Sequence, residues 1–136
     1  MALAATLTLD GEEYNILECE YEFIQPIDSN GKPSGSPRGG LIHFTTILAS
    51  EHANTVFHEW MLNKSDMKDG EFGFLVTDRT EQWYKRLKFQ HAHCIHLYEY
   101  FNNQNEIQMY TKITLSAAVI AFGEGGVYTN NEFLAE

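Results

Sequence analysis

The 136-residue sequence predicts an all-β domain (β-rich α+β): an antiparallel β-barrel or sandwich with one flanking α-helix, single over residues 1–136. Three observations predict it. Alternation of apolar and polar residues with period two dominates the chain. Only one stretch has helical spacing, and no strand–helix–strand rhythm is present.

The elements follow in order. Leu3, Ala5, Leu7 and Leu9 alternate with Ala4, Thr6 and Thr8, and Asp10-Gly11 then reads as a hairpin turn. The next run, Tyr14 to Ile24, sets Leu17, Cys19, Tyr21 and Phe23 on one face and Glu18, Glu20 and Glu22 on the other. That is the pattern of a half-buried antiparallel strand with an acidic outer stripe. From Gln25 to Gly40 the alternation stops. All three prolines of the chain lie in this stretch, which reads as a long patternless loop, a kind that in compact domains is usually functional or disordered. Leu41 to Leu48 is apolar on both faces, so its outer face is expected to be covered by something. Ala53, Val56, Phe57, Trp60 and Met61 form one helical stripe, capped by Ser50 or Asn54 and ending near Asn63-Lys64.

Three more strands are expected. Phe72, Phe74 and Val76 mark a short one. Leu87 to Phe101 is long, with Leu87, Phe89, Ile95, Leu97 and Phe101 on one face. After the turn at Asn102-Asn103, Met109 to Ala121 points Met109, Ile113, Leu115, Val119 and Ala121 inward, and glycines followed by a short acidic tail close the chain. Strands this long imply either exposed edges or a closed barrel.

Composition removes several functions. Nine Lys+Arg against nineteen Asp+Glu leave a formal charge of -10, so nucleic-acid backbones and anionic membrane surfaces are poor partners. No apolar run approaches the roughly 20 residues of a spanning helix, and membrane insertion is not expected. MALAATLTLD lacks the basic region of a secretory signal. Two cysteines make no disulfide framework and suit a reducing compartment.

One constellation carries possible chemistry. His91-x-His93, with Cys94, His96 and Glu99 nearby, is similar to the metal-binding spacing of cupin barrels. On a regular strand His91, His93 and Glu99 share a face, which would suit a small metal-dependent enzyme. Against it, the step to Glu99 is longer than the cupin pattern and no histidine follows His96. Strand histidines satisfied by hydrogen bonds are the commoner reading. His52 and His58 lie off the helical stripe and read as solvated surface. No nucleophile elbow or phosphate loop is present, and no cofactor is expected. Cys19 reads as a core residue, while Cys94 falls opposite the apolar face beside His93. Glu18, Glu20 and Glu22 read as a solvated stripe, or as one side of a charged contact with Lys85, Arg86 or Lys88 of another subunit.

The ordered set of these segments resembles the hemolysin-coregulated protein family, the type VI secretion tube proteins, in their Bacteroidetes form. The residues carrying it are Leu7-Thr8-Leu9-Asp10-Gly11-Glu12-Glu13-Tyr14, Asp28-Ser29-Asn30-Gly31-Lys32-Pro33-Ser34 leading to Gly39-Gly40, and Phe57-His58-Glu59-Trp60-Met61. Leu87-Lys88-Phe89, Ala92, Cys94-Ile95, Glu99-Tyr100-Phe101, Met109 and Ile113-Thr114-Leu115-Ser116-Ala117 complete it.

The resemblance implies a non-enzymatic β-barrel whose six copies close into a ring. Rings would stack into a tube driven by a contractile sheath, with a spike protein at the tip and effector proteins as cargo. It also implies a bacterial cytoplasmic protein that leaves through the type VI apparatus. On this reading the stacking loop comprises Asp28, Ser29, Asn30, Gly31, Lys32, Pro33, Ser34, Gly35, Arg38, Gly39 and Gly40. The subunit interface comprises Leu41, Ile42, Phe44, Glu18, Glu20, Glu22, Lys85 and Lys88. A protomer of this length is roughly 37 Å across, and six around a ring leave a hole of about that width.

Overall fold

The computed structural model describes residues 3–47, 51–76, 82–106, 109–123 and 126–130. Its elements are β1 (Leu3–Leu9), β2 (Glu12–Tyr21), β3 (Leu41–Thr46), α1 (Glu51–Leu62), β4 (Lys68–Val76), β5 (Gln82–Phe101), β6 (Met109–Ala121) and β7 (Val127–Thr129). The strands are ordered β3-β2-β1-β4-β5-β6-β7, and β3 also pairs with β6. That extra ladder, from Leu41↔Ser116 to Thr46↔Thr111, closes six antiparallel strands into a barrel. The long strands are therefore paired along the wall rather than left as open edges.

β1 and β2 turn at Asp10-Gly11, where both residues have positive φ (52° and 80°). The Asp-Gly signal works because Gly, and to a lesser degree Asp, enters the left-handed region at little cost. β4 is nine residues long and not short. β7 had no sequence signal; it adds to β6 beyond Gly40, through Val119↔Thr129 and Ala121↔Val127.

Inside the barrel sit Leu7, Leu9, Tyr14, Ile16, Ile42, Phe44, Phe72, Leu87, Phe89, Ile113, Leu115 and Ile120. α1 delivers its stripe into the same core. Phe57 and Trp60 are fully buried, with Val56 and Met61 packed at the margin. The Phe57 ring lies 5.1 Å from Tyr14 and 6.0 Å from Phe44, both edge-on. Trp60 Nε1–H donates to the carbonyls of Asp66 (3.1 Å) and Ala92 (3.2 Å), which pins the end of the helix to β5. The helix ends at Leu62, one residue before the expected stop. Ser50, Leu48 and the side chains of His52 and Asn54 lie outside the described residues.

Three strands change phase partway, so single-period readings of their faces need correcting. In β6 Ile113, Leu115 and Ala117 face the core and then Ile120 does, so Val119 and Ala121 are not the inward residues there. In β2 the pairing shifts between Ile16 and Glu18. Tyr14 and Ile16 face inward before the shift and Cys19 and Tyr21 after it, which leaves Leu17 about half exposed. In β5 His91 has φ +52°, and the pairing with β4 shifts beside it. Leu87 and Phe89 face inward before that point, Ala92 and Cys94 after it. A second shift lies between Cys94 and His96. Ile95 is consequently exposed, and Cys94 belongs to the core rather than to the opposite face. Leu97 and Phe101 are back in phase beyond the second shift, and Phe101 is exposed because β3 makes its last pair with β6 at Thr46↔Thr111, short of the Phe101↔Met109 pair. Each extra residue flips every side chain beyond it.

Candidate functional site

The Gln25–Gly40 stretch has an order that its sequence hides. The amide and carbonyl of Ile24 and Arg38 exchange hydrogen bonds (2.9 and 2.6 Å), and Ser34 N–H donates to the Pro26 carbonyl at 2.8 Å. A bridge pairs Ile27 with Pro33. At the tip, Asp28 Oδ1 accepts from the amides of Asn30 (2.9 Å) and Lys32 (3.0 Å), and Gly31 takes φ +83°. The segment is thus an irregular hairpin closed by an aspartate turn. Apart from the half-buried Pro26 and the buried Gly40 at its root it is exposed, with Ile24 just before it at 55% and Ile27 at 67% of full exposure.

Its root is tight. Gly39 accepts a hydrogen bond from the Tyr128 hydroxyl (3.2 Å) on β7. A Cβ on Gly39 would meet the Phe23 ring at 2.5 Å, and one on Gly40 would meet the Ala117 carbonyl oxygen at 2.8 Å. Around this root Phe23 contacts Phe122 and Tyr128, at ring centroids of 5.9 and 5.4 Å.

The expected interface residues divide. Glu18, Glu20 and Glu22 are exposed on the outside of β2 and just after it, and Leu41 is 43% exposed on β3. Ile42 and Phe44 are not on that surface: at 0% and 2% exposure they fill the barrel core. The doubly apolar look of this strand arises because its inner face is core and only Leu41 and Ile47 remain outside. Lys85 and Lys88 project to opposite faces, as positions three apart in a regular strand must. Lys85 Nζ sits 5.2 Å over the Phe122 ring. Arg86 and Lys88 flank Glu71 of β4, Arg86 in a close ion pair and Lys88 at 3.9 Å. β2 and β5 lie three strands apart in either direction around the closed barrel, so the acidic stripe and the basic pair occupy opposite sides.

The wall between them is polar and shallowly concave. Across β2, β3, β6 and β5 the register sets Glu20 against His43, His43 against Thr114, and Thr114 against His96. His43 Nδ1 and Thr114 Oγ1 are 2.8 Å apart, and the depression has a volume of about 540 Å³.

The His91, His93 and Glu99 constellation does not assemble. The His91 amide donates to Asp69 Oδ1 (2.9 Å) in the bulge. Glu99 faces α1, where its carboxylate meets His58 Nε2 at 2.7 Å and accepts from the Thr111 hydroxyl at 3.2 Å. His58 is therefore a tie between helix and barrel, with 37% of its side chain still exposed. Among the described residues no group of three His, Cys, Asp or Glu side chains is placed to hold a metal. Burial pushes the Cys19 thiol up to about 12, helped by the charge of Glu20, and Cys94 up to about 11. Both are held as neutral thiols at neutral pH.

A family model for the hemolysin coregulated protein Hcp (TssD) matches residues 1–131. The chain belongs to the Hcp (TssD) family. Among solved structures it is similar to Hcp1 from Flavobacterium johnsoniae, at 31% identity and a TM-score of 0.82, covering 93% of this chain and 99% of that one. Two more distant Hcp proteins share the fold. Hcp1 from E. coli has 13% identity and a TM-score of 0.68, covering 96% and 97% of the two chains. The secreted protein Hcp3 from Pseudomonas aeruginosa has 9% identity and a TM-score of 0.65, covering 95% and 97%. No curated protein sequence matches the chain. Membership makes this Hcp-family chain a type VI secretion tube protein, and no helix among its described residues is long and apolar enough to cross a membrane.

Proposed function

We propose that this protein is the structural subunit of a type VI inner tube: six copies close into a ring, and rings stack through the Asp28–Gly40 loop. A contractile sheath drives the tube outward behind a spike protein, carrying effector proteins from the bacterial cytoplasm to the target. The observation that carries this reading is the family match over residues 1–131 together with the close structural likeness to a Bacteroidetes Hcp1. The subunit performs no catalysis and uses no cofactor.

Physical features support the assembly. A ring closes through one patch meeting a different patch on its neighbour. The exposed Glu18, Glu20 and Glu22 and the Arg86/Lys88 pair lie on opposite sides of the barrel and carry opposite charge, as a head-to-tail contact requires. Leu41 adds an exposed apolar group beside the acidic stripe. Light scattering on purified protein tests the reading. A particle near six times 15.6 kDa is expected; a protomer-sized particle at every concentration overturns it.

A further inference from the structure

We propose that His43, in the polar wall beside the acidic stripe of β2, is a proton-operated release for the contact between copies: charging it together with His96 turns the wall from anionic to cationic and loosens the ring. The proposal rests on the ring reading above and names how that contact is regulated.

The strand register sets His43 among groups of both signs. Glu20 is its cross-strand partner on β2 and Thr114 its partner on β6, with His96 of β5 one strand further. His43 lines both the depression described above and an adjoining hollow of about 410 Å³ toward the loop root. The charged groups facing it in these hollows are Glu18, Glu20 and Glu22 along the β2 side, Arg38 from the loop and Lys112 from β6. Cys19 and Tyr21 line the same hollows but stay neutral, the thiol being pushed up to about 12 and the phenol raised, both chiefly by burial. With both imidazoles neutral, three carboxylates against two cations leave the wall at -1; with both charged it carries +1.

The site keeps its shape while its charge changes. Thr114 is 8% exposed, and its hydroxyl lies 2.8 Å from His43 Nδ1. A hydroxyl donates to a bare ring nitrogen or accepts from a protonated one. The bond therefore serves both charge states and holds the ring in place. Cross-strand partners have Cβ atoms about 5 Å apart, so a charged His43 meets Glu20 within reach of an ion pair. Imidazole is the side chain whose charge ordinarily changes between about pH 5 and 8. Glutamates ordinarily lose theirs only near about pH 4.3.

Range decides the direction of the effect. The reading above sets Glu18, Glu20 and Glu22 against Arg86 and Lys88 of the next copy, a pair that with Glu71 carries +1. A wall at -1 attracts that patch, and a wall at +1 repels it. Protonation also lowers the negative charge of each whole copy, which favours assembly. That opposing effect acts over distances that salt screens beyond about 8 Å, whereas charges at the contact lie inside that length.

Light scattering on the full chain at about 0.15 M salt, at about pH 8 and about pH 5.5, tests the release. The expected result is a particle near six times 15.6 kDa at the higher pH. At the lower pH the concentration for half dissociation rises at least about tenfold, with the circular dichroism spectrum unchanged. His43→Gln combined with His96→Gln fixes both side chains neutral and keeps the six-copy mass at both pH values. His93→Gln, one rung along and opposite Ser116, keeps the wild-type response. Six-copy particles of equal stability at both pH values overturn the release and leave the ring reading standing. So does a double variant that still dissociates in acid, or wild-type dissociation that accompanies unfolding. Loss of the response in His93→Gln overturns the assignment to His43 and His96. Protomer-sized particles at every pH overturn the ring reading and the release together.

Discussion

Replacing Gly40 by Ala tests the rigidity of the loop root. Gly40 has φ +95°, where a Cβ costs about 1–2 kcal/mol. The added carbon would also lie 2.8 Å from the Ala117 carbonyl oxygen. That strand cannot retreat freely, because the Ala117 amide donates to the Gly40 carbonyl at 2.7 Å. Weakening that bond adds about 1 kcal/mol. The total comes to about 2–3 kcal/mol, or roughly 8–12 °C in Tm at about 4 °C per kcal/mol for a domain of this size. Gly31→Ala is the internal control. It has nearly the same φ, +83°, but nothing within 4 Å of its Cβ, so it carries the backbone strain alone. Urea unfolding at fixed protomer concentration measures both. Gly40→Ala should cost at least 1 kcal/mol more than Gly31→Ala; equal losses would refute the close approach at the root.

Other outcomes follow from the same geometry. Trp60→Phe keeps an aromatic ring but removes the Nε1–H that serves the Asp66 and Ala92 carbonyls and leaves part of the indole's volume empty in a fully buried site, and should cost about 2–4 kcal/mol in urea unfolding. Cys19 and Cys94 should resist a thiol reagent in the native protein at pH 8 and react fully in denaturant. Their thiols titrate near 9 when unfolded and at about 12 and about 11 when folded. The native state holds more protons across that window, so stability should fall as pH rises above 9, and replacing both cysteines by Ala should flatten the fall. Rings of six would carry -60 in formal charge, six times -10. Salt screens such repulsion beyond about 8 Å at physiological strength; tubes should therefore lengthen as salt rises in sedimentation assays, and shortening would mean that complementary charges hold the stack.

Local signals in the sequence were enough for the first hairpin, the helical stripe, the end of the loop at Gly40 and the β-rich class; β2 stops at Tyr21, three residues before the alternation does. Asp10-Gly11 and the spacing from Ala53 to Met61 act through backbone preferences and burial that neighbours do not overrule. The phase changes at Leu17 and His91 were not legible, because a bulge is decided by which strand lies alongside. The misplacement of Ile95 and Cys94 follows from that; Ile42 and Phe44 were misplaced because Leu41 and Ile47 make the outer face of β3 look as apolar as the inner one. His58 and Glu99 meet across 41 residues, a distance no periodicity reports. β7 is three residues long and owes its pairing to β6. The loop hairpin was partly readable: Asp28, two residues before Asn30 and three before Gly31, is the ordinary signature of an aspartate turn.

The closure of β3 onto β6 also limits how copies can join. A cylinder with its amides and carbonyls already matched offers a neighbour almost no backbone to extend, apart from the short β7. Association then depends on side chains alone. Such contacts come apart and re-form without unfolding any subunit, and single surface substitutions tune them. On the tube reading proposed above, subunits joined in this way would stay clear of edge-to-edge fibrous aggregation and would separate while each stays folded.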